Sequence, residues 1–259
     1  MICVLIVALA TGVGYQEIEN IFYDPFTLLI LMAISSAFSL LFFYIAVRFI
    51  HERSLLSVIT IKSKINWKKF FKGAAIWISI LTIFTIIGLL IDPRSYKFTF
   101  NPEPFLILVI ISLILFPVYG FLAELFFRGY LIQGFGILSK KPIIPLLATS
   151  IIYASLHWFN SDVFIFQLLI VINVFIAALM FGIITLGENS IETAAGIHIA
   201  HNLYASLIVS TPDTVLGDLP SVFSAPLDAS TILWTVSAVL ITLTIIFWGK
   251  KDKLKDIFL

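Results

Sequence analysis

The chain has 259 residues, of which 60% are hydrophobic and only 12% charged, with a mean hydropathy of +1.09. So few charges exclude an ordinary soluble domain, and a net charge of +1 gives nucleic acid no basic surface to meet. Cys3 is the one cysteine, which excludes an internal disulfide framework and a multi-cysteine metal site. The expected class is an all-α polytopic membrane protein, a single transmembrane domain over 1–259.

Residues 1–13 are apolar but short, with no basic stretch ahead of them, and read as a shortened first transmembrane helix rather than a cleaved signal. Residues 14–25 form an acidic loop ending at Pro25, and 26–50 make a full span. Arg48, Arg53, Lys62, Lys64, Lys68, Lys69 and Lys72 then gather around Trp67 in a basic interfacial loop. A span at 71–91 ends on Asp92, Pro93 and Arg94. Residues 104–139 exceed one straight crossing, and Pro117 with Gly120 offers a kink. Further segments follow at 143–158, 163–186, 190–209 and 229–249. Asn189 and Glu192 have the spacing of a capping box at the start of the segment 190–209.

This division makes about eight transmembrane helices. Thirteen of the sixteen Lys and Arg then fall on one side, in 48–72, 140–141 and 250–255. The positive-inside rule puts both termini in the cytoplasm. An integral multi-pass protein of a prokaryotic cell membrane is expected.

Several polar groups interrupt the apolar segments. Glu124 and Arg128 stand four residues apart, on one helical face, where each charge costs roughly 2.5–3.5 kcal/mol at the bilayer centre on insertion scales. A structural ion pair is the plain reading. His157 lies near the end of 143–158, while His198 and Asn202 share a face of 190–209, with His201 beside it. If these helices pack together, a carboxylate, two imidazoles, an amide and a guanidinium share one wet cavity. A carboxylate and an imidazole take a proton from water. Two imidazoles and a carboxylate hold a divalent metal such as zinc. An amide donates to a developing oxyanion. No hydroxyl or thiol nucleophile stands out, so the inventory favours hydrolysis by activated water, although a proton-coupled transporter uses similar groups.

Three pieces in order, Glu124-Leu-Phe-Phe-Arg128, Tyr153 four residues before His157, and His198-Ile-Ala-His-Asn202, resemble the motifs of the CPBP intramembrane proteases. That family includes type II CAAX prenyl endopeptidases and bacteriocin-processing or immunity proteins. The motifs span 123–202, and the likeness extends over about 50–210. The resemblance implies an endopeptidase that cuts near the C-terminus of a membrane-associated, lipidated or amphipathic peptide. It assigns water activation to His157 and orientation of the peptide or oxyanion to His198 and Asn202. His157 and His198 are the possible metal ligands it offers, and a metal-free mechanism is equally compatible. Membrane lipids and the peptide substrate are the partners, and Phe121, Phe126, Phe127 and Trp158 are candidates to line a lipid channel.

There is one departure at the centre. The family's first motif opens with two glutamates, and the first position here is Ala123. That first glutamate carries the base or ligand duty by the resemblance, while Glu124 matches the second and pairs with Arg128. Ala123 implies a chain disabled on purpose or a natural member that lost its chemistry; retention of His157, His198 and Asn202 favours the first. Tyr153 stands where Phe is usual. The competing readings are a non-catalytic peptide-binding, immunity or scaffold protein on the same fold, and a transporter.

Overall fold

A computed structural model describes residues 24–217, 219–250 and 252–258. The expected first helix at 1–13 and its loop lie outside the described residues, apart from the loop's last two positions.

The chain is helical, as its apolar runs require: inside a bilayer every backbone N–H and C=O must find a partner within its own segment. Helix α1 runs over Pro25–Ile50, α2 is the short Leu56–Ile59, α3 is Trp67–Ile91 and α4 is Pro102–Leu138. Then come α5 (Ile143–Ser155), α6 (Phe164–Glu188), α7 (Glu192–Leu207), α8 (Ser230–Ile246) and α9 (Asp252–Phe258). Five described helical segments are long and apolar enough to cross a membrane, the fourth being Ile143–Asn160, which is α5 with the turn after it. The shorter helices α7 and α8 stand where two more of the eight expected segments fall, α8 being apolar as well. The chain is therefore an all-α polytopic membrane protein.

Local chemistry sets the helix ends. Asp24 caps α1 by accepting from Thr27 N at 2.7 Å, and Asn66 caps α3 by accepting from Lys69 N at 3.3 Å. The capping box expected at 189–192 does not form. Asn189 takes the left-handed conformation (φ 51°, ψ 40°) and closes the C-terminus of α6 instead. Glu192 reaches across to the start of α3, where its Oε1 accepts from Asn66 N at 2.6 Å. A tertiary contact has outcompeted the local one. Likewise α4 continues through Pro117, and its irregular turn is a π-helical stretch at Leu125–Leu131.

Exposure is inverted relative to a soluble protein. Phe38, Phe42, Ile83, Leu90, Leu113, Ile114 and Leu240 face outward, as lipid-contacting side chains do. The most enclosed helix is α7, the least apolar of these segments, whose residues Glu192 to Ala200 are all buried. It packs against α3 and α4, while α1 packs on α4, and α5 and α8 pack on α6. Its sequence explains its place. Ala194, Ala195, Gly196 and Ala200 let neighbouring backbones approach closely, which is how helices associate when lipid removes the hydrophobic driving force. A Cβ at Gly73 would lie 2.6 Å from Thr193 O, and one at Gly196 would collide with Phe70 O. Gly196→Ala is therefore expected to cost about 1–3 kcal/mol through overpacking against a main chain that cannot yield. A lowered midpoint of thermal unfolding in detergent is the readout; an unchanged midpoint would show that the α3–α7 crossing has slack.

The connections agree with the alternation of the described crossings. Loops assigned to one face meet at one end: β1 (Lys97–Phe98) pairs antiparallel with β3 (Phe223–Ser224), which pairs parallel with β2 (Val209–Ser210). At that end Val215 N also donates to Asn160 O at 2.9 Å. At the other end Ile191 N donates to Ile59 O at 2.9 Å, and Lys69 pairs with Glu188 at 3.0 Å.

Candidate functional site

Three helices, α4, α6 and α7, and the end of α5 bring the polar residues together. Glu124 is 0% exposed and Arg128 1%. Arg128 Nη1 donates to Glu124 Oε1 at 3.3 Å, closing the i, i+4 pair that the spacing predicts. Burying two ions is costly unless their remaining hydrogen-bonding groups are satisfied. Arg128 Nη2 donates to Ala178 O of α6 at 3.2 Å. The guanidinium also lies over the rings of Tyr153, at 4.6 Å, and Phe181, at 5.2 Å. Such contacts contribute about 2 kcal/mol when desolvated. The π-helical stretch begins at Leu125, directly after Glu124, and contains Arg128; π turns are frequent at functional sites.

His198 joins this pair from α7. Its Nδ1 lies 2.7 Å from Glu124 Oε1, and its ring stacks on Phe181 with centroids 5.2 Å apart. On its other side, His198 Nε2 is 3.2 Å from the Tyr153 hydroxyl. Glu124 Oε1 thus serves two donors, while its buried Oε2 has no protein partner.

His157 is a neighbour of this cluster rather than a direct member. Helix α5 stops at Ser155, and His157 lies in the turn beyond. Its Nδ1 is 2.9 Å from Tyr153 O, and its ring centroid is 4.8 Å from the Tyr153 ring. A carbonyl only accepts, so Nδ1 carries the proton and a neutral His157 keeps its lone pair at Nε2. Asn202, one turn along α7 from His198, is half-buried, and its Nδ2 has no acceptor. Ala123 is buried in an apolar cluster with Phe127, Tyr153 and Ala178.

The geometry bears directly on a metal. A zinc site takes three or four protein ligands. Both nitrogens of His198 are engaged, by Glu124 and Tyr153, and His157 Nδ1 is engaged by a carbonyl. Among the described residues no three His, Cys, Asp or Glu side chains are grouped to hold an ion. The residues present do not fit zinc.

Sequence reasoning missed several participants. Tyr153 carries a motif position, but the role of its hydroxyl had no signature. Phe181 is one of 25 phenylalanines, and the Ala178 contribution is a backbone carbonyl. Asn173, in an apolar stretch of α6, was a readable polar signal, but its Nδ2 donates to Leu169 O at 2.8 Å within its own helix and its Oδ1 is buried without a partner. His201 goes elsewhere, with Trp77 Nε1 donating to its Nδ1 at 3.3 Å. Of the aromatic residues named as channel candidates, Phe121 and Phe126 pack toward α1, and Phe127 packs on Tyr153. Trp158 does line an apolar groove of about 560 Å³ between α5 and α6, with Ile151, Ala154, Phe159, Ile172 and Phe175.

The chain is similar to known proteins over its motif-bearing part and beyond. The description "Type II CAAX prenyl endopeptidase Rce1-like" matches residues 102–204, which hold all three motifs. The "Uncharacterized protein YyaK" of Bacillus subtilis (strain 168) is 30% identical over 244 residues, covering 92% of this chain and 81% of that protein. No solved structure matches the chain.

Proposed function

The chain belongs to the CPBP family, with the Rce1-like type II CAAX prenyl endopeptidases, and from that premise we propose that its buried polar cluster is a peptide-hydrolysis site which Ala123 holds in a binding, non-cleaving form. The substrate class is the C-terminal segment of a membrane-associated peptide. The observation that carries the reading is the engagement of Glu124 Oε1 by two donors. Its Oε1 is held by Arg128 and His198 inside a protein interior with no exposure. Its Oε2 has no protein partner but is buried as deeply, so Glu124 serves to organise the site.

The remaining groups have the chemistry for recognising a peptide bond. Asn202 Nδ2 is a donor without an acceptor, suited to the substrate carbonyl and to the oxyanion that develops from it. His157 offers Nε2 as an acceptor for a proton from water. A carboxylate at position 123 would start from the cluster that contains Tyr153, whose carbonyl orients His157. With alanine there, water meets one weak base in place of a paired carboxylate and imidazole. The groove at Trp158 has the volume of a small-molecule site and is suited to a lipid chain on the substrate.

The test uses the purified chain in proteoliposomes with a fluorescent peptide ending in a farnesylated cysteine motif. The chain as it stands should bind the peptide and return it intact, and the Ala123→Glu variant should shorten it. Cleavage by the unaltered chain would overturn the non-cleaving half of the reading. Failure of either form to bind would overturn the whole of it.

A further inference from the structure

Tyr153 stands between the two histidines and touches both. Its carbonyl fixes the proton of His157, and its hydroxyl sits 3.2 Å from His198 Nε2. The protonation pattern of His198 follows from its partners. Glu124 already balances the Arg128 charge, so a cationic imidazole would leave an uncompensated positive charge in the interior. A neutral imidazole keeps this charge balance. An ionised carboxylate only accepts, so the 2.7 Å contact puts the single proton on Nδ1 and the lone pair on Nε2. The Tyr153 hydroxyl then donates to that lone pair.

We infer that Tyr153 is a positioning residue that closes off His198, a second restraint on this site separate from Ala123. Nε2 is the only ring nitrogen of His198 not held by Glu124, and the phenol occupies it. Tyr153 is itself well anchored: it is buried, its ring lies under the Arg128 guanidinium at 4.6 Å, and it packs edge-on against Phe127 at 4.9 Å. The phenol oxygen cannot move away from Nε2 without disturbing these contacts. Any water or substrate group that approaches His198 must displace it. In its consequence for cleavage, the inference rests on the function proposed above; in its structural part it does not.

Tyr153→Phe removes one oxygen and keeps the ring, so the contacts with Arg128 and Phe127 persist. In chain labelled with ¹⁵N-histidine in lipid nanodiscs, with His198 assigned by loss of its signals in His198→Gln, the Nε2 resonance should move toward that of an unbonded lone pair. Nδ1 should stay protonated. His157 should not move, because its partner is a main-chain carbonyl that the variant retains. Unchanged His198 signals, or equal movement at His157, would overturn the inference. Cleavage of the farnesylated peptide then tests the consequence: Ala123→Glu with Tyr153→Phe should run about tenfold faster than Ala123→Glu alone, the effect of freeing one hydrogen bond. Equal rates would remove Tyr153 as a restraint on turnover. If neither variant cleaves, the peptidase reading fails, and the nitrogen spectra still decide whether Tyr153 holds His198.

Discussion

Ala123→Glu is expected to raise peptide cleavage by about 10²–10⁴-fold over the unaltered chain, the contribution of a positioned general base. The side chain at 123 begins in the apolar cluster of Phe127, Tyr153 and Ala178. A glutamate there exchanges a methyl group for a carboxylate in a buried place. Some stability is lost, and thermal unfolding must be followed alongside activity. Two controls separate catalysis from shape. Ala123→Gln has the same size and no basic oxygen pair, so it should remain at background. Adding His157→Ala to Ala123→Glu should return the rate to background, since His157 Nε2 is the nearby proton acceptor already oriented by a carbonyl. Equal activity in the Glu and Gln variants would remove the general-base role from position 123.

Removing either member of the Glu124–Arg128 pair should destabilise the protein by about 3–5 kcal/mol, because an unpaired buried charge remains. Glu124→Ala leaves the guanidinium with Ala178 O and aromatic faces but no anion. It also strips His198 Nδ1 of its acceptor. Arg128→Met leaves the carboxylate with only an imidazole. The double variant should cost clearly less than the sum of the two single changes, since no stranded ion remains. Thermal midpoints in detergent give the cycle. Additive losses would mean that the two charges do not depend on each other, against the 3.3 Å contact.

Much of this architecture was readable in advance because membrane insertion imposes a one-dimensional rule. Apolar runs had to be helices, and the 25–50, 67–91 and 164–188 segments appear within a few residues of expectation. The meeting of residues 97–98 with 223–224, and of Lys69 with Glu188, follows the parity of the crossings. The helix 190–209 proved shorter and more enclosed than a free span, because its small residues let α3 and α4 close over it. The capping box at 189–192 failed for a comparable reason: Glu192 had a partner 126 residues away that no local pattern announces.

The candidate site divides in the same way. Glu124–Arg128 was legible because both groups lie on one helix, one turn apart. Convergence of α4 and α7 was an expectation, and the 2.7 Å contact between Glu124 and His198 supplies it. The separation of His157 from that contact by Tyr153 could not be read, since it depends on where α5 ends and which way its last turn faces.

By itself the sequence determined the class of solvent, the helices and the few side chains too polar to face lipid, because those follow from transfer costs paid residue by residue. Only the tertiary structure decided which donor each acceptor takes. Hydrogen bonds between helices depend on angles and distances of a few ångströms, set by packing across segments far apart in the chain. That is how one oxygen of Glu124 came to be shared by Arg128 and His198, and how one tyrosine came to hold two histidines.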